Sequence, residues 1–200
     1  MTGAGEARDG GAADAKAALR RHLRERRAAR DGAARTAAGD RLAGHADALD
    51  ADTVAAFVGT RTEPPTLPLL AALHARGRRV LLPVLRADMD LDWAPYTGDE
   101  DLRPARLGLL EPTGPSLGLD AVRDAALVLA PALAVDAGGR RLGQGGGSYD
   151  RALERARAPV IAIVFDDEVL DGPIPVEPHD RPVAGVLTPG GGLRRFGDPS

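Results

Sequence analysis

Apolar residues in this chain gather into short unbroken runs instead of alternating with polar ones. Thr53 to Val58, Val80-Leu81-Leu82-Pro83-Val84, the stretch from Ala126 to Val135 and Val160 to Phe165 carry no charge along their length. Runs this short, rich in aliphatic and β-branched residues, predict strands buried on both faces, the pattern of a parallel sheet. Helical stretches lie between them: Asp14 to about Arg30, Arg35 to Leu49, Leu67 to Arg76 and Tyr149 to Arg157. Strand and helix in alternation predict an α/β fold, a three-layer sandwich around a mainly parallel sheet, with ligands at the carboxyl ends of the strands.

The boundaries carry their own signals. Asp14 and Thr66 stand where side-chain oxygens can cap helices, Gly77 ends one helix, and Pro159 ends another. Residues 1–13 are rich in Gly and Ala without apolar periodicity and are expected to form a disordered tail; residues 190–200 are expected to form a loose carboxyl tail. That leaves one domain, residues 14–189. From Leu85 to Arg123 the pattern weakens: Met89 to Tyr96 reads as an edge strand and Gly108 to Pro115 as a loop. A last short strand is expected from Val183 to Leu187.

The segment Arg141-Leu142-Gly143-Gln144-Gly145-Gly146-Gly147-Ser148-Tyr149-Asp150 adds chemistry to this pattern. It follows a predicted buried strand and opens into a predicted helix. Glycines allow the backbone to approach a ligand closely, and the first N–H groups of a helix lack internal partners, so such a junction can hold a phosphate. The sequence is neither the Gly-Lys-Ser/Thr phosphate loop nor the dinucleotide pattern, and a plain tight turn between strand and helix stays open on these residues alone. Asp150 and Asp180 are hard oxygen ligands of the kind that hold Mg2+ with nucleotide phosphates. Equally, one suits the first turn of a helix and the other a backbone cap in a loop.

Composition narrows the classes. The chain has 200 residues, 44% of them hydrophobic, enough for a sizeable core. No apolar run approaches the roughly 20 residues needed to cross a bilayer, and a cytoplasmic location with no membrane partner is expected. Cysteine is absent, which excludes disulfides, zinc–thiolate sites and a thiol nucleophile. A net charge of -3 argues against nucleic acid as a partner, so the arginines at 20, 21, 24, 26, 27 and 30 read as a solvated helix face. Of the 26 basic side chains only Lys16 is a lysine. A compact ammonium on a flexible stem suits a moving phosphoryl group, though an exposed helix position also accounts for it.

Taken in order, these pieces resemble the 5-formyltetrahydrofolate cyclo-ligase family, also called methenyltetrahydrofolate synthetases. The resemblance runs from Lys16 to about Thr188: Lys16-Ala17-Ala18-Leu19-Arg20, Glu63-Pro64-Pro65-Thr66, Val80-Leu81-Leu82-Pro83, Glu111-Pro112, Pro131 to Asp136, Arg141 to Arg151 and His179-Asp180. It implies a fold similar to the ribose-phosphate isomerase and CoA-transferase group, and an ATP- and Mg2+-dependent cyclisation of a reduced folate, most simply by a monomer. In the implied reaction the γ-phosphoryl of ATP passes to the formyl oxygen of 5-formyltetrahydrofolate, N10 closes the ring and phosphate leaves.

Position by position, the resemblance assigns catalysis to Lys16, Arg141 and Asp150. It places ATP on Lys16, Arg20 and Arg141 through Tyr149, that is Arg141, Leu142, Gly143, Gln144, Gly145, Gly146, Gly147, Ser148 and Tyr149. The folate falls to Val58, Glu63, Gln144, Gly145, Gly146, Gly147 and Ser148, and Mg2+ to Asp150 and Asp180. Two positions depart from the family pattern: Ser148 stands where a second tyrosine is usual, and Gln144 where an aromatic or basic residue is frequent. Those departures motivate the alternative of a non-catalytic folate- or nucleotide-binding protein on the same fold.

Overall fold

A seven-stranded sheet forms the centre of the computed structural model, which describes residues 6–175 and 181–197. In chain order the elements are α1 (Glu6–Ala28), α2 (Gly32–Gly44), β1 (Thr53–Ala55), α3 (Leu67–Ala75), β2 (Arg79–Leu85) and β3 (Leu91–Pro95). There follow β4 (Leu102–Pro104), β5 (Leu110–Pro112), β6 (Leu127–Pro131), β7 (Ala134–Asp136), β8 (Arg141–Leu142) and α4 (Ser148–Arg155). The chain then forms β9 (Val160–Ile163), β10 (Val169–Leu170), β11 (Gly185–Thr188) and β12 (Gly192–Arg195). The sheet order is β12-β11-β9-β6-β1-β2-β3. The five inner strands are parallel, while β3 and β12 close the edges antiparallel.

The two faces of the sheet are both covered, and the period of two along each strand sorts the residues between them. Val54, Ala56, Val80, Leu82, Leu127, Leu129, Ile161 and Ile163 pack with Leu42, Leu49, Leu69, Leu70 and Leu73, so α2 and α3 lie on that face. Ala55, Leu81 and Val128 point the other way, onto Ala121, Val122 and Ala152. Because every central position is buried on one side or the other, the strands read as unbroken apolar runs.

Several boundaries moved. The run from Ala126 to Val135 is two strands: β6 ends at Pro131, which has no N–H to continue a ladder, and β7 turns away to pair with β8 and β10. The glycine segment therefore follows a short hairpin instead of a central strand. Helix α1 begins at Glu6, ahead of Asp14, as no proline interrupts that stretch. Residues past Thr188 return along β11 as β12, because a chain reversal there satisfies an otherwise open sheet edge. The expected loop after Gly108 contains β5, which pairs with β4.

Helix α1 departs most from expectation. Its buried face is charged: Lys16 is 3% exposed and Arg27 1% exposed, alongside Leu23 at 1%. The arginines read as solvated are largely engaged with the protein. Arg26 and Arg30 meet Asp167, Arg27 meets Glu168, and the Arg30 guanidinium lies 4.0 Å from the Phe165 ring centre. A helix that docks through ion pairs has no apolar stripe to reveal it. No helix among the described residues is long and apolar enough to cross a membrane.

Candidate functional site

The sheet order reverses between β1 and β6: successive units run outward from β1 through β2 on one side and from β6 through β9 and β11 on the other. Crevices form at the carboxyl edge of such a switch, and a cavity of about 540 Å³ lies there. Phe57 and Val58 following β1, Pro83 and Leu85 of β2, and Pro131 ending β6 line its floor. The glycine segment from Gly143 to Gly147, with Ser148, Tyr149 and Asp150, forms one wall, and Arg24, Thr60, Glu63 and Arg141 supply polar groups.

The loop after β1 is held in shape by its own hydroxyls. Thr66, expected to cap α3, makes no such cap; its Oγ1 donates to Phe57 O at 2.6 Å and accepts from Gly59 N at 2.9 Å. This closes the loop and presents Glu63, 6% exposed. Glu63 Oε2 accepts from Thr60 N at 2.9 Å and from Thr60 Oγ1 at 3.0 Å. Oε1 accepts from Gln144 Nε2 at 3.3 Å. A carboxylate fixed in this way at an apolar wall suits the N–H donors of a flat heterocycle.

The opposite wall depends on two left-handed glycines. Gly145 (φ 92) and Gly147 (φ 72) take conformations that L side chains rarely adopt, and Gly147 directly precedes α4. The residues that open α4, Ser148, Tyr149 and Asp150, line the cavity, and the first N–H groups of a helix have no intrahelical partners. Arg141, with 8% of its side chain exposed, donates from Nη1 to Pro131 O at 3.3 Å and pairs through Nη2 with Asp150 Oδ1. The Asp150 side chain is 52% exposed. Tyr149 lies edge-on to Phe57, ring centres 6.5 Å apart. Burial, with Glu63 nearby, pushes its phenol well above the ordinary tyrosine range, and its hydroxyl finds no hydrogen-bond partner among the described residues.

Not every expected residue lines the cavity. Leu142 is fully buried in the core with Leu23 and Ile174, so only its backbone belongs to the loop. Arg20 sits behind the glycine wall, its Nε donating to Gly143 O at 3.0 Å. Lys16 is one helical turn away on the same face, about 6 Å along the axis. Its burial contradicts the reading of an exposed helix position. Asp180 and His179 lie outside the described residues. Among the described residues no group of three or more acidic or imidazole side chains converges as an ion site.

Other lining residues carried no sequence signal. Two hairpin tips bring Met89, Leu107, Leu109 and Leu110 to the mouth. Met89 (φ 65) and Leu107 (φ 58) are the non-glycine residues with positive φ among those described, and Leu107 is 70% exposed. Strained backbone of this kind costs on the order of 1 kcal/mol or more per residue and clusters at ligand sites. Glu111, within the stretch expected as a loop from Gly108 to Pro115, lies on β5 and accepts from Leu85 N at 2.9 Å, fixing the cavity floor. Arg24 was legible only as one of many arginines, although Lys16, Arg20 and Arg24 recur every four residues.

The model of the 5-formyltetrahydrofolate cyclo-ligase family matches residues 12–189. The chain is 47% identical over 148 residues to the 5-formyltetrahydrofolate cyclo-ligase of Mycolicibacterium smegmatis, covering 70% of this chain and 75% of that one. It is 35% identical over 150 residues to the Escherichia coli K12 enzyme of the same name, covering 70% and 79%. Its fold is similar to the solution structure of Aquifex aeolicus 5,10-methenyltetrahydrofolate synthetase, with TM-score 0.77 at 22% identity over 92% of this chain and 94% of that one. The Mycoplasma pneumoniae 5,10-methenyltetrahydrofolate synthetase gives TM-score 0.66 at 17% identity, over 86% and 96%. With a family match over residues 12–189 and relatives above one-third identity, this chain belongs to the 5-formyltetrahydrofolate cyclo-ligase family.

Proposed function

We propose that this chain converts 5-formyltetrahydrofolate to 5,10-methenyltetrahydrofolate with consumption of ATP. The observation that carries the reading is the convergence, in one cavity at the switch of the sheet, of an apolar wall bearing a fixed carboxylate and a glycine loop opening a helix. A flat, donor-rich heterocycle matches Val58, Phe57 and Glu63; a triphosphate matches the N–H groups from Gly143 to Tyr149 and the Arg141 guanidinium. Both substrates would then share one volume, as transfer between them requires.

In the proposed reaction the formyl oxygen attacks the γ-phosphorus, ADP leaves, N10 attacks the activated carbon and phosphate departs. The phosphoryl donor is already reactive, so the protein contributes alignment and charge stabilisation. Arg141 faces the transferred group. Arg20 sets the loop through Gly143 O, and Lys16, buried on the same face of α1, supplies the compact cation. Asp150 offers one partly exposed carboxylate beside the loop, which suits a Mg2+ ion that takes most of its oxygens from phosphate and water; Asp180 is proposed as its second ligand. Bound there, the ion would neutralise charge developing on the phosphates. No Ser–His–Asp or Cys–His set is needed.

The test is product formation by the purified chain with ATP, Mg2+ and 5-formyltetrahydrofolate, each omitted in turn. Product is expected only when all three are present, with ADP released in equal amount. Product formed without ATP overturns the reading, as does folate-independent ADP release with no methenyl product.

A further inference from the structure

Arg24, on the exposed side of α1, makes two bonds to one residue of the glycine loop. Its Nε donates to Gln144 Oε1 at 3.2 Å and its Nη2 to Gln144 O at 2.6 Å. Gln144 Nε2 then donates to Glu63 Oε1 at 3.3 Å. A cation stands at one end of this amide and a carboxylate at the other. Only one amide orientation satisfies both: the reverse would set NH2 against a guanidinium and a carbonyl oxygen against a carboxylate. The guanidinium therefore dictates which way the glutamine points.

We infer that Arg24 is a positioning residue for Glu63, acting through Gln144. The inference rests on the reading above that Glu63 binds the folate. With Oε2 held by Thr60 and Oε1 by Gln144, both oxygens of Glu63 are fixed before any ligand enters. The two arginines one turn apart grip successive loop carbonyls, Arg20 that of Gly143 and Arg24 that of Gln144. Arg24 differs in extending its grip through a side chain to the folate wall. It also explains Gln144 where the family pattern often carries an aromatic or basic residue. A basic residue there would pair with Glu63 directly and be repelled by Arg24; glutamine accepts from one and donates to the other.

The test is equilibrium titration of the full chain with 5-formyltetrahydrofolate in the absence of ATP, and separately with ATP. Arg24→Ala and Gln144→Met are each expected to weaken folate binding about tenfold, the loss of one hydrogen bond to a charged group. ATP affinity is expected to stay within about twofold. The double variant is expected to be no weaker than the single ones, because both break one chain. Arg24→Lys, with a point charge in place of a fork, recovers only part of the affinity. Unchanged folate affinity in Arg24→Ala, or effects that multiply to about a hundredfold in the double variant, overturns the inference. The titration needs no turnover, so a chain that binds folate but does not cyclise it removes the proposed function while leaving this bridge supported or refuted by its own variants. A chain that binds no folate overturns both.

Discussion

Replacing Arg27 by methionine is expected to destabilise the protein by about 3–5 kcal/mol, because it strands a buried carboxylate. The Arg27 and Glu168 side chains are 0% and 1% exposed. They form a two-point pair, Nε to Oε1 at 2.8 Å and Nη2 to Oε2 at 2.7 Å. Without Arg27, Glu168 keeps the Phe165 N–H at 2.9 Å and the Arg30 guanidinium at 3.7 Å. Those residual contacts place the expected loss toward the lower end of the range. Glu168→Leu strands the cation instead and also orphans the Phe165 N–H, which adds about 1–3 kcal/mol. The double variant Arg27→Met/Glu168→Leu removes both charges. What it loses is the partners of two backbone groups, Phe165 N–H and Ala132 O, the latter bound by Arg27 Nη2 at 2.5 Å. Those two groups cost about 1–3 kcal/mol each and relief from burying two charges offsets up to about 4 kcal/mol, so the double variant is expected to lie about 2 kcal/mol below the parent and above both single variants. Urea denaturation at neutral pH, followed by circular dichroism, measures all four proteins. A loss under about 1 kcal/mol in Arg27→Met, or a double variant as unstable as the summed single changes, refutes the claim that this pair is buried and coupled.

A methyl group at Gly59 would lie 2.2 Å from Pro64 O, a backbone atom that no side-chain rotation can clear. Gly59→Ala is therefore expected to shift the Glu63 loop, costing about 1–3 kcal/mol of stability and most of the folate affinity; unchanged affinity in a ligand titration would refute this. Lys16→Met, which keeps the buried stem, is expected to lower kcat by about a hundredfold, while Lys16→Ala loses the packing of the stem as well. Equal turnover by Lys16→Met would remove the ammonium from the mechanism. Asp150→Asn is expected to raise the Mg2+ concentration for half-maximal rate by roughly tenfold, and an unchanged metal titration would assign Asp150 to its ion pair with Arg141 alone. Both tyrosines have phenols raised above the ordinary range, Tyr149 by burial and by Glu63, Tyr96 by burial and by its bond to Asp99. Their folded pKa values exceed the unfolded value of about 10, so this stabilisation is complete below that pH and is lost as pH rises above it. An alkaline titration should show no tyrosinate absorbance until the protein unfolds; a transition near the ordinary value in folded protein would count against the burial.

The fold was legible where burial acts on both faces of an element. Val80 to Leu82 and Val160 to Val164 lack polar residues because each neighbouring side chain meets either the α2–α3 layer or the opposite one. The glycine segment was legible because Gly145 and Gly147 are dictated by local backbone angles. Helix α1 was misread for a physical reason: it docks by ion pairs and backbone carbonyls, and a charged face looks the same in sequence whether it meets water or Glu168. Thr66 looked like a helix cap since a hydroxyl before a helix does that work locally, but here the Phe57 carbonyl and the Gly59 N–H were nearer.

The sequence by itself determined the buried strands, the glycine junction, the lone lysine and the absence of thiol chemistry, all of which follow from residue type and short-range spacing. Only the tertiary structure decided that Arg24 reaches Gln144 and Gln144 reaches Glu63, that Lys16 is buried, and that Met89 and Leu107 flank the same cavity. Those contacts join residues far apart in the chain, through side chains whose partners are set by how the helices and hairpins seat on the sheet, and no local pattern encodes that seating.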